Sequence, residues 1–244
     1  MSKISKLRKF FKSLNIDGYL IPKNDEYFNE YVSESKDRLK FISNFSGSAG
    51  FAIILKNKNY LFVDGRYTVQ ARIQSAKNFK IFTIPQNFPK KVLKTNTKLK
   101  IGFDPRLHNE NQLNFIFNIK NVVLKPISKN LIDGIWSKRP KDLIKPFFSL
   151  SNKDAGQNSQ EKINKVKNIL SKNKVDYLFV TAPENVAWIL NIRGYDSEFS
   201  PIPNARVLIN RNGDLDLFSQ YKKFVKIKKN LSKKIRFHHE DKIE

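Results

Sequence analysis

Apolar positions recur at two different periods along the chain, and the changes of period mark its elements. Ile4, Leu7, Phe10, Phe11 and Leu14 fall three and four residues apart, which predicts a helix within 1–15. A continuous apolar run at 18–22 (GYLIP) predicts a buried strand, and a polar stretch, NDEYFNEYVSE, follows at 24–34. The most ordered pattern is at 38–70. A small-residue loop, Phe45-Ser46-Gly47-Ser48-Ala49-Gly50, leads into apolar runs at 51–55 and 60–63 separated by a polar turn, which reads as a β-hairpin. Asp64-Gly65-Arg66 breaks it, and Asp64 stands where a helix N-cap belongs. The next helix is predicted over 67–77, with Val69, Ile73 and Ala76 on one side. Strands at 80–84, 100–103 and 121–125 alternate with helices at 88–95 and 109–118, the latter placing Leu113, Ile116 and Phe117 on one face. This order predicts an α/β domain with a mixed sheet flanked by helices.

Periodicity fades over 141–158, which is rich in Pro, Ser, Asn and Lys and reads as a linker. A second α/β unit begins at 159. Ile163, Val166, Ile169 and Leu170 give a helix face, and 177–180 a buried strand. Thr181-Ala182-Pro183-Glu184 has the form of a capping box opening a helix that runs to Leu190, with Gly194 as its C-cap. Runs at 206–209 and 215–219 pair across Asn212-Gly213, and a strand at 235–238 follows a lysine-rich stretch. The expected organisation is therefore domain I at 1–140, a linker at 141–158 and domain II at 159–244.

Composition narrows the function classes. No apolar run approaches the ~20 residues of a membrane span, and 1–15 lacks the apolar segment of a signal peptide. The absence of cysteine excludes disulfides and thiolate metal sites and fits a cytoplasmic location. The net charge of +24 suggests a polyanion partner, but lysine supplies 36 of the 46 basic residues and is spread along the chain. No zinc finger, RNA-recognition or basic-zipper pattern accompanies it, which argues against a specific nucleic-acid partner.

Candidate chemistry is sparse. The histidines are His108, His238 and His239. His238-His239-Glu240-Asp241 is tempting as a metal site, but neighbours on a strand point to opposite faces, so the stretch reads as a polar tail. There is no His-Glu-x-x-His, no phosphate-binding Gly-x-x-x-x-Gly-Lys and no Ser-His-Asp set. The Gly47–Gly50 loop reads either as an anion cradle built from backbone amides or as a tight structural turn.

Arg38, the 45–50 loop, Asp64-Gly65-Arg66-Tyr67 and Gln70-Ala71 together resemble the N-terminal domain of the creatinase/prolidase superfamily, specifically of Xaa-Pro aminopeptidases. Asp25, Glu30 and Tyr31 match a further motif, with Tyr27 where a histidine is common. Asp133, Trp136, Arg139 and Pro140 match an Asp-x-x-Trp-x-x-Arg-Pro segment, and Ala155-Gly156 a small pair before the next domain. Ala187, Trp188, Asn191, Ile192, Arg193, Gly194 and Asp196 match a second-domain motif, followed by Phe199-Ser200-Pro201 with serine in place of asparagine.

The resemblance implies two creatinase N-terminal-like α/β domains. It also implies a parent activity, release of the N-terminal residue that precedes proline. In that family two divalent metals, typically manganese, are held by two Asp, one His and two Glu of a further, catalytic domain. No such module is visible here, so the chain is expected to be the non-catalytic region of a truncated enzyme, with domain II incomplete. It would hold no cofactor, shape substrate access and assembly, meet peptide only within a full-length enzyme, and dimerise through the missing domain. A free-standing binding module that pairs with a paralogue is the alternative, and a polyanion-binding protein a third reading. The motif residues read as structural or as substrate-access groups, with Arg38, Asp64 and Arg66 expected to pair, and Arg193 with Asp196.

Overall fold

The computed structural model describes residues 1–244 except 94, 143, 230, 232, 233 and 244. It divides into two compact units, Met1–Lys141 and Asp142–Glu244.

Helix α1 (Lys3–Ser13) opens the first unit, with the Ser2 hydroxyl accepting from the Ser5 amide and Ile4, Leu7 and Phe11 buried. Strand β1 (Gly18–Pro22), helix α2 (Arg38–Ser43) and the hairpin β2 (Gly50–Leu55) and β3 (Asn59–Asp64) follow. Helix α3 (Thr68–Ser75), β4 (Lys80–Ile84), α4 (Pro89–Val92), β5 (Leu99–Phe103), α5 (Glu110–Phe117) and β6 (Val122–Pro126) complete it. The sheet order is β4-β3-β2-β1-β5-β6. β1/β2 and β2/β3 are antiparallel; β1/β5, β3/β4 and β5/β6 are parallel.

The central strands read as unbroken apolar runs because both of their faces are covered. Tyr19, Ile21, Ala52, Ile54, Leu61 and Val63 face the core that holds α1 and α2. The alternate residues Leu20, Phe51, Ile53, Tyr60 and Phe62 face the core that holds α5.

Three expectations need correction in this unit. Helix α2 was not anticipated, since six residues carry too short a period to read; Asp37 caps it and Asn44 closes it at φ 65°. The region around 88–95 holds only the single turn α4, and position 94 lies outside the described residues. The apolar side of α3 faces solvent: Val69 is 70% and Ile73 81% exposed, and Ala76 is exposed too, while Ala71 and Ser75 are buried. Ser75 sends its hydroxyl to the Ser43 carbonyl, so a small-residue face docks α3 close to the C-terminal end of α2.

In the second unit, Phe147 is fully buried in the core and Phe148–Ser149 forms β7, so these residues of the expected 141–158 linker are built into the unit. The short α6 (Asn152–Ala155) precedes α7 (Ser159–Lys172), β8 (Tyr177–Val180), α8 (Pro183–Leu190), β9 (Ile192–Arg193), β10 (Arg206–Asn210), β11 (Leu215–Phe218) and β12 (Ile235–His238). β7 pairs with β9, and the main sheet runs β12-β11-β10-β8. Gly213, at φ 95°, allows the β10–β11 turn.

Four local expectations fail here. Ile163 and Leu170 of α7 are buried, but Ile169 is exposed. Only Val180 of β8 is buried, and among the described residues β8 lies at a sheet edge. Ala182, not Thr181, occupies the N-cap position of α8 and supplies no side-chain hydrogen bond: Pro183 takes the first helical position and sets the residue before it in extended backbone. Asn191, at φ 53°, closes α8 three residues before Gly194. Gly194 is instead a packing glycine, since a Cβ there would lie 2.8 Å from Pro203 Cα.

Candidate functional site

Phe45, Gly47, Ser48, Gly50 and Tyr67 meet at the loop at 45–50. Phe45 is fully buried and meets Tyr67 edge-on, ring centroids 5.8 Å apart. A Cβ on Gly47 would fall 2.3 Å from Phe45 Cζ, and one on Gly50 2.6 Å from the Phe62 carbonyl oxygen. Ser48 Oγ lies 2.8 Å from the Tyr67 hydroxyl. The Ser46 amide donates to Gln74 Oε1, and Gln70 and Gln74 both donate to Ser46 Oγ. The loop is therefore a tight structural turn sewn to α3.

Asp64 accepts from the Arg66 amide at 2.9 Å and from Arg66 Nε at 2.8 Å, on the surface. Gly65 has nothing but Thr83 Cγ2 at 3.8 Å near its Cβ position, so space does not demand glycine there.

Arg38 does not join Asp64 and Arg66 as expected. Its guanidinium is 1% exposed, and its Nε and one terminal nitrogen donate to the two oxygens of Asp133 at 2.8 and 2.9 Å. The same terminal nitrogen donates to Glu26 Oε1 at 2.7 Å. Arg139 reaches Asp133 at 3.0 Å, and Lys36 reaches Glu26 at 3.2 Å. Burial by itself would raise both carboxyls. The Lys36 and Arg38 charges overrule it at Glu26, which falls to about 2. Hydrogen bonding to Arg38 is the leading opposing cause at Asp133, which also titrates below its ordinary value. Trp136 stacks on Phe41 at 4.4 Å, so the segment with Asp133, Trp136 and Arg139 straps α2 to the sheet.

Asp25 is buried and organises the 24–34 turn. Its oxygens accept from the amides of Tyr27 and Asn29 and from Asn29 Nδ2 at 2.8 Å. Burial raises its pKa despite those bonds. Glu30 is exposed, and Tyr31 is 39% exposed.

Beside the loop, a cavity of about 350 Å³ is lined by Ser48, Gly50, Phe51, His108, Gln112 and Phe115 among others. Both ring nitrogens of His108 and Gln112 Oε1 are buried without a hydrogen-bond partner. Burial pushes His108 down to about 4, so the imidazole is neutral at physiological pH.

In the second unit the expected Arg193–Asp196 pair does not form. Arg193 donates to the carbonyls of Ala187 and Ile192, whereas Asp196 pairs with Lys223 at 2.7 Å and accepts from the Asn204 amide. Asn191 Oδ1 accepts from buried Lys162 Nζ at 2.6 Å, and that ammonium sits 4.5 Å from the centre of the Trp188 ring. Trp188 itself is largely exposed. Lys162 and Lys223 went unremarked in the sequence because lysine is abundant throughout, so two buried ones carry no local signal.

Among the described residues, no group of three or more His, Cys, Asp or Glu side chains is placed to hold a metal ion. His238 reaches Asp216 at 2.6 Å and His239 reaches Asp241 at 3.0 Å, each a separate pair. Both carboxylates that Arg38 binds are neutralised by cations. This donor set does not fit a dinuclear centre.

The sequence model of the creatinase/prolidase N-terminal domain matches residues 3–133, more than half of the chain, and a second model with the same description matches 138–244. The chain belongs to the creatinase/prolidase N-terminal domain family. Both units of this creatinase/prolidase N-terminal chain are thus of one type. A probable Xaa-Pro aminopeptidase P of Coprinopsis cinerea is 37% identical over 210 residues, covering 82% of this chain and 33% of that protein. Xaa-Pro aminopeptidase 1 of Dictyostelium discoideum is 31% identical over 222 residues, covering 82% and 34%. A solved X-prolyl aminopeptidase of Caenorhabditis elegans, described as a cytosolic enzyme with a di-nuclear active site, superposes with a TM-score of 0.86 at 25% identity, covering 99% of this chain and 42% of that one. The chain spans about a third of the length of the curated relatives it matches. No helix among the described residues is long and apolar enough to cross a membrane.

Proposed function

We propose that this chain is the non-catalytic N-terminal region of a cytoplasmic Xaa-Pro aminopeptidase, shaping substrate access and assembly around a metal centre supplied by a further domain. The relatives named Xaa-Pro aminopeptidase support the parent activity. The observation that carries the scaffold role is the fate of the motif side chains. Arg38, Asp25, Asp196 and Asn191 all close on partners within their own unit, and among the described residues no group of three or more His, Cys, Asp or Glu side chains is placed to hold a metal. In the parent enzyme, metals held elsewhere would supply the nucleophile and polarise the scissile carbonyl. These residues would hold the first and second domains rigid beside it.

The test is hydrolysis of an Xaa-Pro peptide by the purified 244-residue chain, with and without manganese. No turnover in either condition is expected. Manganese-dependent release of the N-terminal residue would overturn the scaffold reading and make His238, His239, Glu240 and Asp241 the first residues to mutate.

A further inference from the structure

The strand order of the first unit leaves a crevice at the carboxyl ends of β1 and β5. These strands are parallel neighbours, yet the chain leaves them toward opposite faces of the sheet. After β1 it enters α2, whose Leu39 and Ile42 join the core that holds Tyr19 and Ile54. After β5 it enters α5, whose Leu113 and Ile116 join the core that holds Leu20 and Phe62. Open α/β sheets bind ligands outside the carboxyl ends of their strands, where neighbouring connections diverge in this way. The His108 cavity lies there: Pro22 and Asn24 line it from the end of β1, and His108 and Gln112 from beyond β5.

The walls of the cavity are apolar, and most of its polar side chains are engaged. Leu20, Phe51, Ile84, Phe88, Phe115 and Ile116 supply the walls, with Phe88 and Phe115 meeting edge-on at 5.2 Å. Lys23 pairs with Asp37, Asn24 Nδ2 donates to the Leu107 carbonyl, and Ser48 Oγ pairs with the Tyr67 hydroxyl. Among the described residues of this lining, three buried side-chain atoms keep no partner: both His108 ring nitrogens and Gln112 Oε1. Phe103 meets the His108 ring edge-on at 5.8 Å. Gln112 stands in the first turn of α5, where a glutamine can reach back to the cap, but its Oε1 makes no such bond. Buried polar atoms left unpaired cost stability, so a fold that keeps three of them in one cavity calls for a partner there.

We propose that this cavity binds a small uncharged aromatic carboxamide, its ring between the apolar walls and its amide bridging His108 and Gln112. A neutral imidazole offers one donor and one acceptor, and Gln112 Oε1 is a second acceptor. A carboxamide answers with a carbonyl for the imidazole N–H and an N–H for Gln112 Oε1. A carboxylate would set its oxygens against Gln112 Oε1, and the one lysine among the described lining residues is already neutralised by Asp37. The volume of about 350 Å³ is at the small end of ligand pockets and suits a single ring. The inference concerns the first unit alone and is independent of where peptidase chemistry resides.

The probe is 4-fluorobenzamide, titrated into the full chain at neutral pH beside 4-fluorobenzoate and 4-fluorotoluene and followed by fluorine and amide NMR. Saturable binding of the benzamide is expected, with amide shift changes concentrated at Asn24, Gly50, His108 and Gln112. The benzoate and the toluene should each bind about tenfold or more weakly, since neither offers an N–H to Gln112. Gln112→Leu removes the acceptor and is expected to weaken benzamide binding about tenfold with the circular dichroism unchanged. His108→Phe keeps a flat ring, removes the donor, and serves if the first variant misfolds. Absence of saturable binding, shift changes concentrated in the second unit, benzoate or toluene binding as tightly as benzamide, or binding unaffected by either variant would each overturn the proposal.

Discussion

Arg38 and Asp133, ninety-five residues apart in sequence, meet through two parallel hydrogen bonds of 2.8 and 2.9 Å, the Arg38 side chain buried and Asp133 partly exposed. The pair joins α2 to the strap at the end of the domain, and Glu26 and Arg139 complete its charge balance. A bidentate guanidinium–carboxylate contact fixes direction as well as distance, which a lysine would not.

Replacing Arg38 by Ala is expected to destabilise the first unit by about 3 kcal/mol, the lower end for a buried ion pair, because Glu26 and the partly exposed Asp133 would keep only Lys36 and Arg139 as cations. Arg38→Lys should recover only part of this. In a double-mutant cycle by urea unfolding, Arg38→Met with Asp133→Leu should cost less than the two single changes summed. Strict additivity would show that the pair is not coupled.

His108 gives the first unit a specific acid sensitivity. The unfolded imidazole takes up a proton as pH falls below 6.5, whereas burial holds the native one to about 4. Over that window the unfolded state binds more protons, so stability is complete above 6.5 and falls as pH drops toward 4, by about 3 kcal/mol in all. His108→Phe should flatten this part of the pH–stability curve. An unchanged slope in the variant would place the acid sensitivity on other groups.

The two motif glycines Gly50 and Gly65 should respond differently to alanine. A Cβ at Gly50 meets the Phe62 carbonyl at 2.6 Å, backbone that cannot step aside, and Gly50→Ala should cost about 1–3 kcal/mol. At Gly65 the nearest atom is 3.8 Å away, and Gly65→Ala should stay within about 0.5 kcal/mol of the parent in thermal or urea melts.

Helix α3 offers a direct check of which face packs. Ile73→Ser, on the exposed side, should change stability by no more than about 0.5 kcal/mol. Ala71→Leu, at a site with no exposure, should cost about 1–3 kcal/mol by overpacking. A reversed ranking would mean that α3 is turned the other way.

The sequence by itself determined the longer strands, the hairpins and the duplication of the α/β unit, while the two-residue strands β7 and β9 carry too short a pattern to read. Apolar alternation and turn residues such as Asn212-Gly213 are local signals, and local backbone preferences enforce them. It also carried the loop at 45–50, whose glycines are needed for a close approach that Phe45 and Phe62 create. Tertiary structure alone decided which cation met which carboxylate. Arg38 lies nearer in sequence to Asp64 than to Asp133, and Arg193 nearer to Asp196 than Lys223 is, yet both nearer pairings fail: Asp64 takes Arg66 instead, and Arg193 donates to main-chain carbonyls. The face of α3 was likewise decided by docking: a helix with small residues on one side and larger apolar ones on the other buries whichever side the neighbouring backbone admits. Here the close approach of α2 admitted Ala71 and Ser75 and left Val69 and Ile73 in water. Burial of β8 depended in the same way on a neighbour, since an apolar run states only that a strand can be covered, and the sheet order decides whether it is.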